Sequence, residues 1–199
     1  MPSTNYDIDA RNDPLFLEYE RARDLIPTQD WRRGLEELER LSHQGSIMSI
    51  LFVADAMRVG SMYEPDLPGA EAWYKVAEKS GSVRGTFGLG LTYLRMGRIA
   101  EARRKLEEAI SKNYPPAFNA LAGIYFRGDG AAQDLQRARD LWRKGASLGH
   151  LPARRNLLAQ QLRGRYGVLD FIAGVISFVP TIASIVSTRL KNPYTDLLR

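Results

Sequence analysis

The chain has 199 residues, 44% of them hydrophobic, enough to bury the core of one domain or of a solenoid of about four to five short units. It contains no cysteine, which excludes disulfide frameworks, thiolate metal sites and cysteine nucleophiles. Its formal net charge of +5 is unevenly spread: residues 1–45 carry net −4, residues 46–136 net +1, and residues 137–165 net +7, with eight basic side chains against Asp140 alone.

In chain order, residues 1–12 read as a flexible polar tail, and the first thirty residues lack the basic start and apolar stretch of a signal peptide, so a cytoplasmic location is expected. Asp13-Pro14 reads as a cap followed by proline at the first helical position, opening a helix to about Leu25 that Pro27 stops. Leu15, Leu17, Tyr19, Ala22 and Ile26 do not share one stripe, as expected of a partly covered end-cap. Asp30 is the next cap, before a helix from Trp31 to Ser42 with Leu35, Leu38 and Leu41 at helical spacing. Helices follow at roughly 46–58, 68–80, 83–96, 98–112, 116–127, 134–147 and 151–163, joined by short turns holding Gly, Pro or Asp. No stretch alternates with period two, so the fold is expected to be all-α.

Two of these helices carry the same line of text. LGLTYLRMG from Leu89 and LAGIYFRGDG from Leu121 lie 32 residues apart; VADAMRVG at Val53–Gly60 is a degenerate copy, and LLAQQLRG at Leu157–Gly164 keeps the leucine-to-glycine spacing with Gln161 in the tyrosine's place. The second helices end alike, at Gly81, Asn113 and Gly149, where left-handed caps are expected. One unit has Ala70, Trp73, Tyr74, Ala77 and Gly81, with Asp66 ahead of them; another has Ala122, Tyr125, Gly128, Gly130, Asp134, Ala138, Trp142, Ala146 and Gly149. On these residues, residues 30–164 resemble the Sel-one-like repeat (SLR), a relative of the tetratricopeptide repeat. The unit between them departs, because its turn, Met96-Gly97-Arg98, is too short for Gly-x-Gly. The resemblance implies a right-handed α-solenoid of stacked helical hairpins over residues 13–164 and a non-enzymatic adaptor or scaffold role. The signature residues themselves read as packing: small residues let helices approach, and Tyr, Trp and Leu fill the grooves.

Partner contacts are then expected on the non-packing positions of each first helix. Arg95, Arg127 and Arg163 stand two residues after Tyr93, Tyr125 and Gln161, with Arg58 one place off; Arg84, Asn119 and Arg155 lie earlier on the same helices. Together they suggest an arginine-lined groove for an acidic peptide or protein, since guanidinium pairs with carboxylate in a bidentate fork. The same recurrence also fits repeat inheritance on a solvated face, where arginine complements a helix C-terminus. Nucleic acid is not expected, because the basic positions are not interleaved with exposed aromatics.

Phe171–Thr188 forms eighteen residues without a charge. The segment 168–199 is therefore set apart as a C-terminal hydrophobic helix, with Phe171, Ile172, Val175, Ile176, Phe178, Val179, Ile182, Ile185 and Val186 as its membrane-facing residues. Asp170, Gly174, Ser177, Thr181, Ser184, Thr188 and Lys191 recur at alternating steps of four and three, a seam of small and polar groups. Three readings stand. A spanning anchor at the cytoplasmic face explains the length and the +7 block; a helix lying on the membrane surface explains the seam; a cap over the last repeat explains the position. In the membrane readings the seam would suit packing on another transmembrane helix or a homodimer, and Pro180 is expected to kink or split the helix.

Nothing points to catalysis, a metal or a cofactor. His43 and His150, the only histidines, sit near helix ends beside glycines and read as helix-terminal polar residues. GTFGLG at 85–90 imitates a phosphate loop, but it falls inside a predicted helix, where its glycines serve close packing.

Overall fold

The structure, a computed structural model, describes residues 5–62, 64–130 and 132–191. Every regular element among them is an α-helix: α1 Asn5–Asn12, α2 Phe16–Leu25, α3 Trp31–His43, α4 Ile47–Val59, α5 Leu67–Lys79, α6 Val83–Arg95, α7 Ile99–Ser111, α8 Pro115–Arg127, α9 Leu135–Ser147, α10 Leu151–Leu162 and α11 Val168–Lys191. They form two compact units, residues 1–112 with α1–α7 and residues 113–199 with α8–α11.

The hairpin boundaries follow from local chemistry. The side chains of Ser46, Asp66, Ser82, Asp134 and His150 each accept a hydrogen bond from the backbone N–H three residues on, at 2.8–3.2 Å, satisfying a donor that the first helical turn leaves free. The closing signals behave as expected: Gly81 and Gly149 take φ of +86° and Asn113 +54°, the left-handed region. His150 is thus a helix cap, through its Nδ1 and the Ala153 N–H.

In the first unit, α4, α5, α6 and α7 pack in sequence around Ile47, Ile50, Leu51, Ala54, Ala70, Tyr74, Ala77, Leu89, Tyr93 and Ala102. A second cluster, Tyr19, Ala22, Leu38, Leu41, Met48 and Val53, ties α2 and α3 to α4. The glycines of α6 explain the phosphate-loop look-alike. A Cβ on Gly85 would stand 2.8 Å from both the Ala77 Cβ and the Glu78 backbone nitrogen of α5, and one on Gly90 would stand 2.9 Å from Leu106 Cδ2 of α7. Helix α6 is therefore clasped between its neighbours at distances only glycine permits.

In the second unit, α8 packs on α9 and α9 on α10, with Ala117, Phe118, Leu121, Ala122, Ile124, Tyr125, Ala138, Trp142, Ala153 and Leu158 buried. Helix α11 packs on α10. It runs as one helix through Pro180, so of the kink or split expected there the split does not occur.

Residues 5–12 form α1, which packs against α4 and α6. Asp13 serves two helices: its Oδ1 accepts from the Leu15 N–H at the entry to α2, and its Oδ2 accepts from the Met48 N–H of α4. Asp30 makes no side-chain cap to α3.

Replacing Gly85 with alanine forces α5 and α6 apart against backbone and is expected to lower unfolding free energy by ~2–3 kcal/mol. Gly97→Ala meets no neighbour and suffers only from its φ of +76°, so a loss of ~1 kcal/mol is expected. Urea unfolding of the two variants beside the unmodified chain checks the ranking.

Candidate functional site

Two carboxylates that sequence reasoning missed organise the N-terminal half. Asp13 Oδ2 accepts hydrogen bonds from Ser46 Oγ at 2.7 Å and from the Met48 N–H at 2.8 Å, while its Oδ1 accepts from the Leu15 N–H at 2.9 Å. Asp9 Oδ2 accepts from Ser82 Oγ at 3.0 Å. The two are 6% and 4% exposed. One acidic segment therefore sits on the N-termini of both α4 and α6, where the helix dipoles favour negative charge. Burial pushes the Asp9 carboxyl above its ordinary value, opposed by the Ser82 hydrogen bond and by the positive charge of Arg84, with Asp13 adding to the rise. The available signal was the aspartate pair four residues apart, but no local pattern says which distant helix such a pair will cap.

The expected groove residues divide by what they touch. Arg58 is engaged within the first unit: Nη2 is 2.7 Å from Asp55 Oδ1, Nε donates to Tyr74 Oη at 3.2 Å, and its side chain is 12% exposed. Tyr74 Oη in turn donates to Asp55 at 2.6 Å. Burial, followed by the adjacent Asp55 charge, holds this phenol protonated well above the ordinary tyrosine range. The triad pins α4 to α5. Arg84 is half-buried, with Nη1 3.6 Å from Met48 Sδ, beside Asp9. Asn119 Oδ1 accepts from Trp142 Nε1 at 3.0 Å and from Asn156 Nδ2 at 2.9 Å, linking α8 to α9 and α10. These residues spend their polar groups inside the fold.

Arg95, Arg127, Arg155 and Arg163 are exposed. Arg95 ends α6 in the first unit; Arg127 ends α8 in the second, where Nη2 lies 2.6 Å from Asp129 Oδ2; Arg163 follows the last residue of α10. The tyrosines that set their register are buried, Tyr93 at 3% and Tyr125 at 6% exposure, so the repeat separates packing tyrosine from outward arginine within two residues. Among the described residues no group of three or more His, Asp or Glu could hold a metal ion.

Helix α11 is built inside out. Its small seam faces the unit: Gly174 is buried, with room for a Cβ only at 3.0 Å from Gln161 Cβ and 3.4 Å from Leu162 Cδ2, and Asp170 pairs with Arg139 Nη2 at 2.6 Å. Ala173 and Ser177 border an open groove of about 420 Å³ with Ala146, Ser147, Arg154, Leu157, Leu158 and Gln161. The seam expected to meet another transmembrane helix or a second copy is, over 170–177, held against α9 and α10 of the same chain, where Gly174 allows a close crossing. The opposite face holds Val168, Leu169, Phe171, Ile172, Val175, Ile176 and Phe178, each 42–84% exposed. Val179, Ile182, Ile185 and Val186 belong to α11 but lie outside the described side chains. Among the described residues no helix is long and apolar enough to cross a membrane.

No protein-family model matches the chain, and no curated protein matches it in sequence. Solved structures do. A Sel1 repeat protein from Oxalobacter formigenes superposes with a TM-score of 0.66 at 19% identity, over 83% of this chain and 69% of that one. A putative Sel1 repeat protein from Klebsiella pneumoniae subsp. pneumoniae gives 0.58 at 19% identity, over 82% and 83%. A protective antigen of uropathogenic Escherichia coli with an SLR fold gives 0.60 at 22% identity; it matches 78% of this chain, which spans only 35% of that protein's length.

The buried aspartates can be tested separately. Asp13→Ala strips the buried Met48 N–H and Ser46 hydroxyl of their acceptor and is expected to lower stability by ~2 kcal/mol and to speed amide exchange in residues 5–12. Asp9 has a raised folded pKa, so its contribution is fully present below the ordinary value of 3.8 and declines as pH rises. The unfolding free energy of Asp9→Asn relative to the unmodified chain is therefore expected to shift in the variant's favour between about pH 4 and pH 7.

Proposed function

We propose that this chain, which has the Sel1-like-repeat fold, is a non-enzymatic adaptor that holds an acidic peptide or protein partner through its outward arginines and is tethered at a membrane by its C-terminal helix. The observation that carries the partner-binding half is the split within each repeat: Tyr93 and Tyr125 are buried, while Arg95 and Arg127 two residues later are exposed, as is Arg163 at the equivalent position. A residue kept at one register without a packing role is free to make outside contacts, and guanidinium selects carboxylates. The residues expected from sequence reduce to Arg95 in the first unit and Arg127, Arg155 and Arg163 in the second, Arg127 already paired with Asp129, since Arg58, Arg84 and Asn119 are engaged internally.

The tethering half is supported by the exposed apolar face of α11, which follows the strongly basic stretch 137–165 in sequence. The same face favours a second reading, in which α11 is the active element at the membrane and the repeats recruit it.

Affinity capture with the full chain and with an Arg95→Ala, Arg127→Ala, Arg163→Ala variant decides the partner-binding half. The expected result is an acidic protein recovered by the unmodified chain and reduced at least about tenfold with the variant. Equal recovery by both removes the arginine surface.

A further inference from the structure

The exposed face of α11 and the way its other face is held specify how the helix would meet a lipid surface, an inference that rests on the tethering reading above. Over residues 170–177 the helix is fixed to its own unit, by the Asp170–Arg139 ion pair at one end and by Gly174 against Gln161 and Leu162 in the middle. A helix clasped along about two turns cannot also stand those turns in hydrocarbon. Beyond the clasp the sequence stays uncharged only from Phe178 to Thr188, before Arg189 and Lys191. As a helix at 1.5 Å per residue that stretch reaches about 17 Å, short of the ~30 Å hydrocarbon thickness of a bilayer.

What faces outward over the clasped stretch is broad and continuous. Val168, Ile172 and Val175 follow one helical row, Leu169, Ile172 and Ile176 a second, and Phe171, Val175 and Phe178 a third, with roughly half or more of each side chain exposed except Phe171 at 42% and Phe178 at 45%. The unit that carries this face is cationic. Arg154 borders the same groove as Ala173 and Ser177, and Arg155, Arg163 and Arg165 are exposed in the segment leading to α11. The nearest acid, Asp170, is neutralised by Arg139, and Asp140 is paired with Arg143 at 3.2 Å.

We infer that α11 docks flat on an anionic bilayer surface, its Val168–Phe178 face in the acyl boundary and Arg154, Arg155, Arg163 and Arg165 among the lipid headgroups. A second copy is the less fitting occupant of this face. A two-fold contact there would bring two blocks of net +7 against each other, whereas an anionic surface attracts them. The helix is then an interfacial element rather than a spanning one, its polar side supplied by the unit it packs on.

The full chain is sedimented with phosphatidylcholine vesicles and with phosphatidylcholine–phosphatidylserine vesicles at about 50 mM and about 500 mM salt. Three forms are compared: unmodified, Ile172→Asp with Ile176→Asp, and Arg154, Arg155, Arg163 and Arg165 all changed to Gln. Both isoleucines are exposed, so the first variant keeps its fold, which circular dichroism verifies. The expected result is binding to the phosphatidylserine vesicles only, weakened at least about tenfold by high salt and by either variant, and reversed by alkaline carbonate. Binding to both vesicle types that resists carbonate overturns the flat, charge-led mode while leaving membrane tethering standing. Absence from every vesicle pellet overturns both. A dimer abolished by the isoleucine variant, without vesicle binding, assigns the face to a second copy and overturns both as well.

Discussion

The fold depends on how closely consecutive helices approach, and that distance is set by residues with almost no side chain. Ala70, Ala77, Ala102, Ala109, Ala138 and Ala153 are completely buried, and Gly85 sits where any Cβ would meet Ala77 and the backbone at Glu78. Such crossings bring backbones near enough for Tyr74, Tyr93, Tyr125 and Trp142 to fill the grooves alongside, each at 6% exposure or less. Once the small and aromatic positions of a repeat are committed to packing, the charged residue that trails the tyrosine has only one direction left. Exposure of Arg95, Arg127 and Arg163 is a consequence of the packing code, and any use by a partner is built upon it.

The same rule accounts for α11. Gly174 does at the α10 crossing what alanine does in the repeats, and Asp170 gives the helix a polar anchor on Arg139. Helices within a solenoid turn their apolar side inward because another repeat follows. Here the inward side of α11 is small and polar, so its large apolar residues are left outward. A protein carries such a face in water only at a cost, roughly 25 cal/mol for each Å² left wet, and that makes an apolar occupant the natural resolution.

Most of the helices were legible in the sequence because their signals are local. Caps such as Ser82 and Asp134, glycine or asparagine ends such as Gly81 and Asn113, and the leucine–tyrosine period each act within a few residues, and the expected spans agree with the structure to within a residue or two. What was not legible is nonlocal. Asp13 looked like the cap of the helix just after it and does bond to the Leu15 N–H there, but it also bonds to Ser46 and Met48 more than thirty residues on. Asp9, in what read as a tail, bonds to Ser82 at a sequence distance of 73. Arg58 matched the arginine register approximately and proved to be half of a buried tie to Tyr74. For α11 the seam was visible as a spacing of fours and threes, but spacing alone does not say whether a seam meets a stranger or the chain's own preceding helix.

The claim on which the functional account turns is the orientation of α11, and the absence of native cysteine makes it directly measurable. Single cysteines at Ile176 and at Ser177, each carrying an environment-sensitive fluorophore, report the two faces of the same turn when vesicles containing phosphatidylserine are added. The account predicts a blue shift and protection from aqueous quencher at 176, with little change at 177, which stays against the α10 groove. Equal protection at both positions, or at neither, would contradict it.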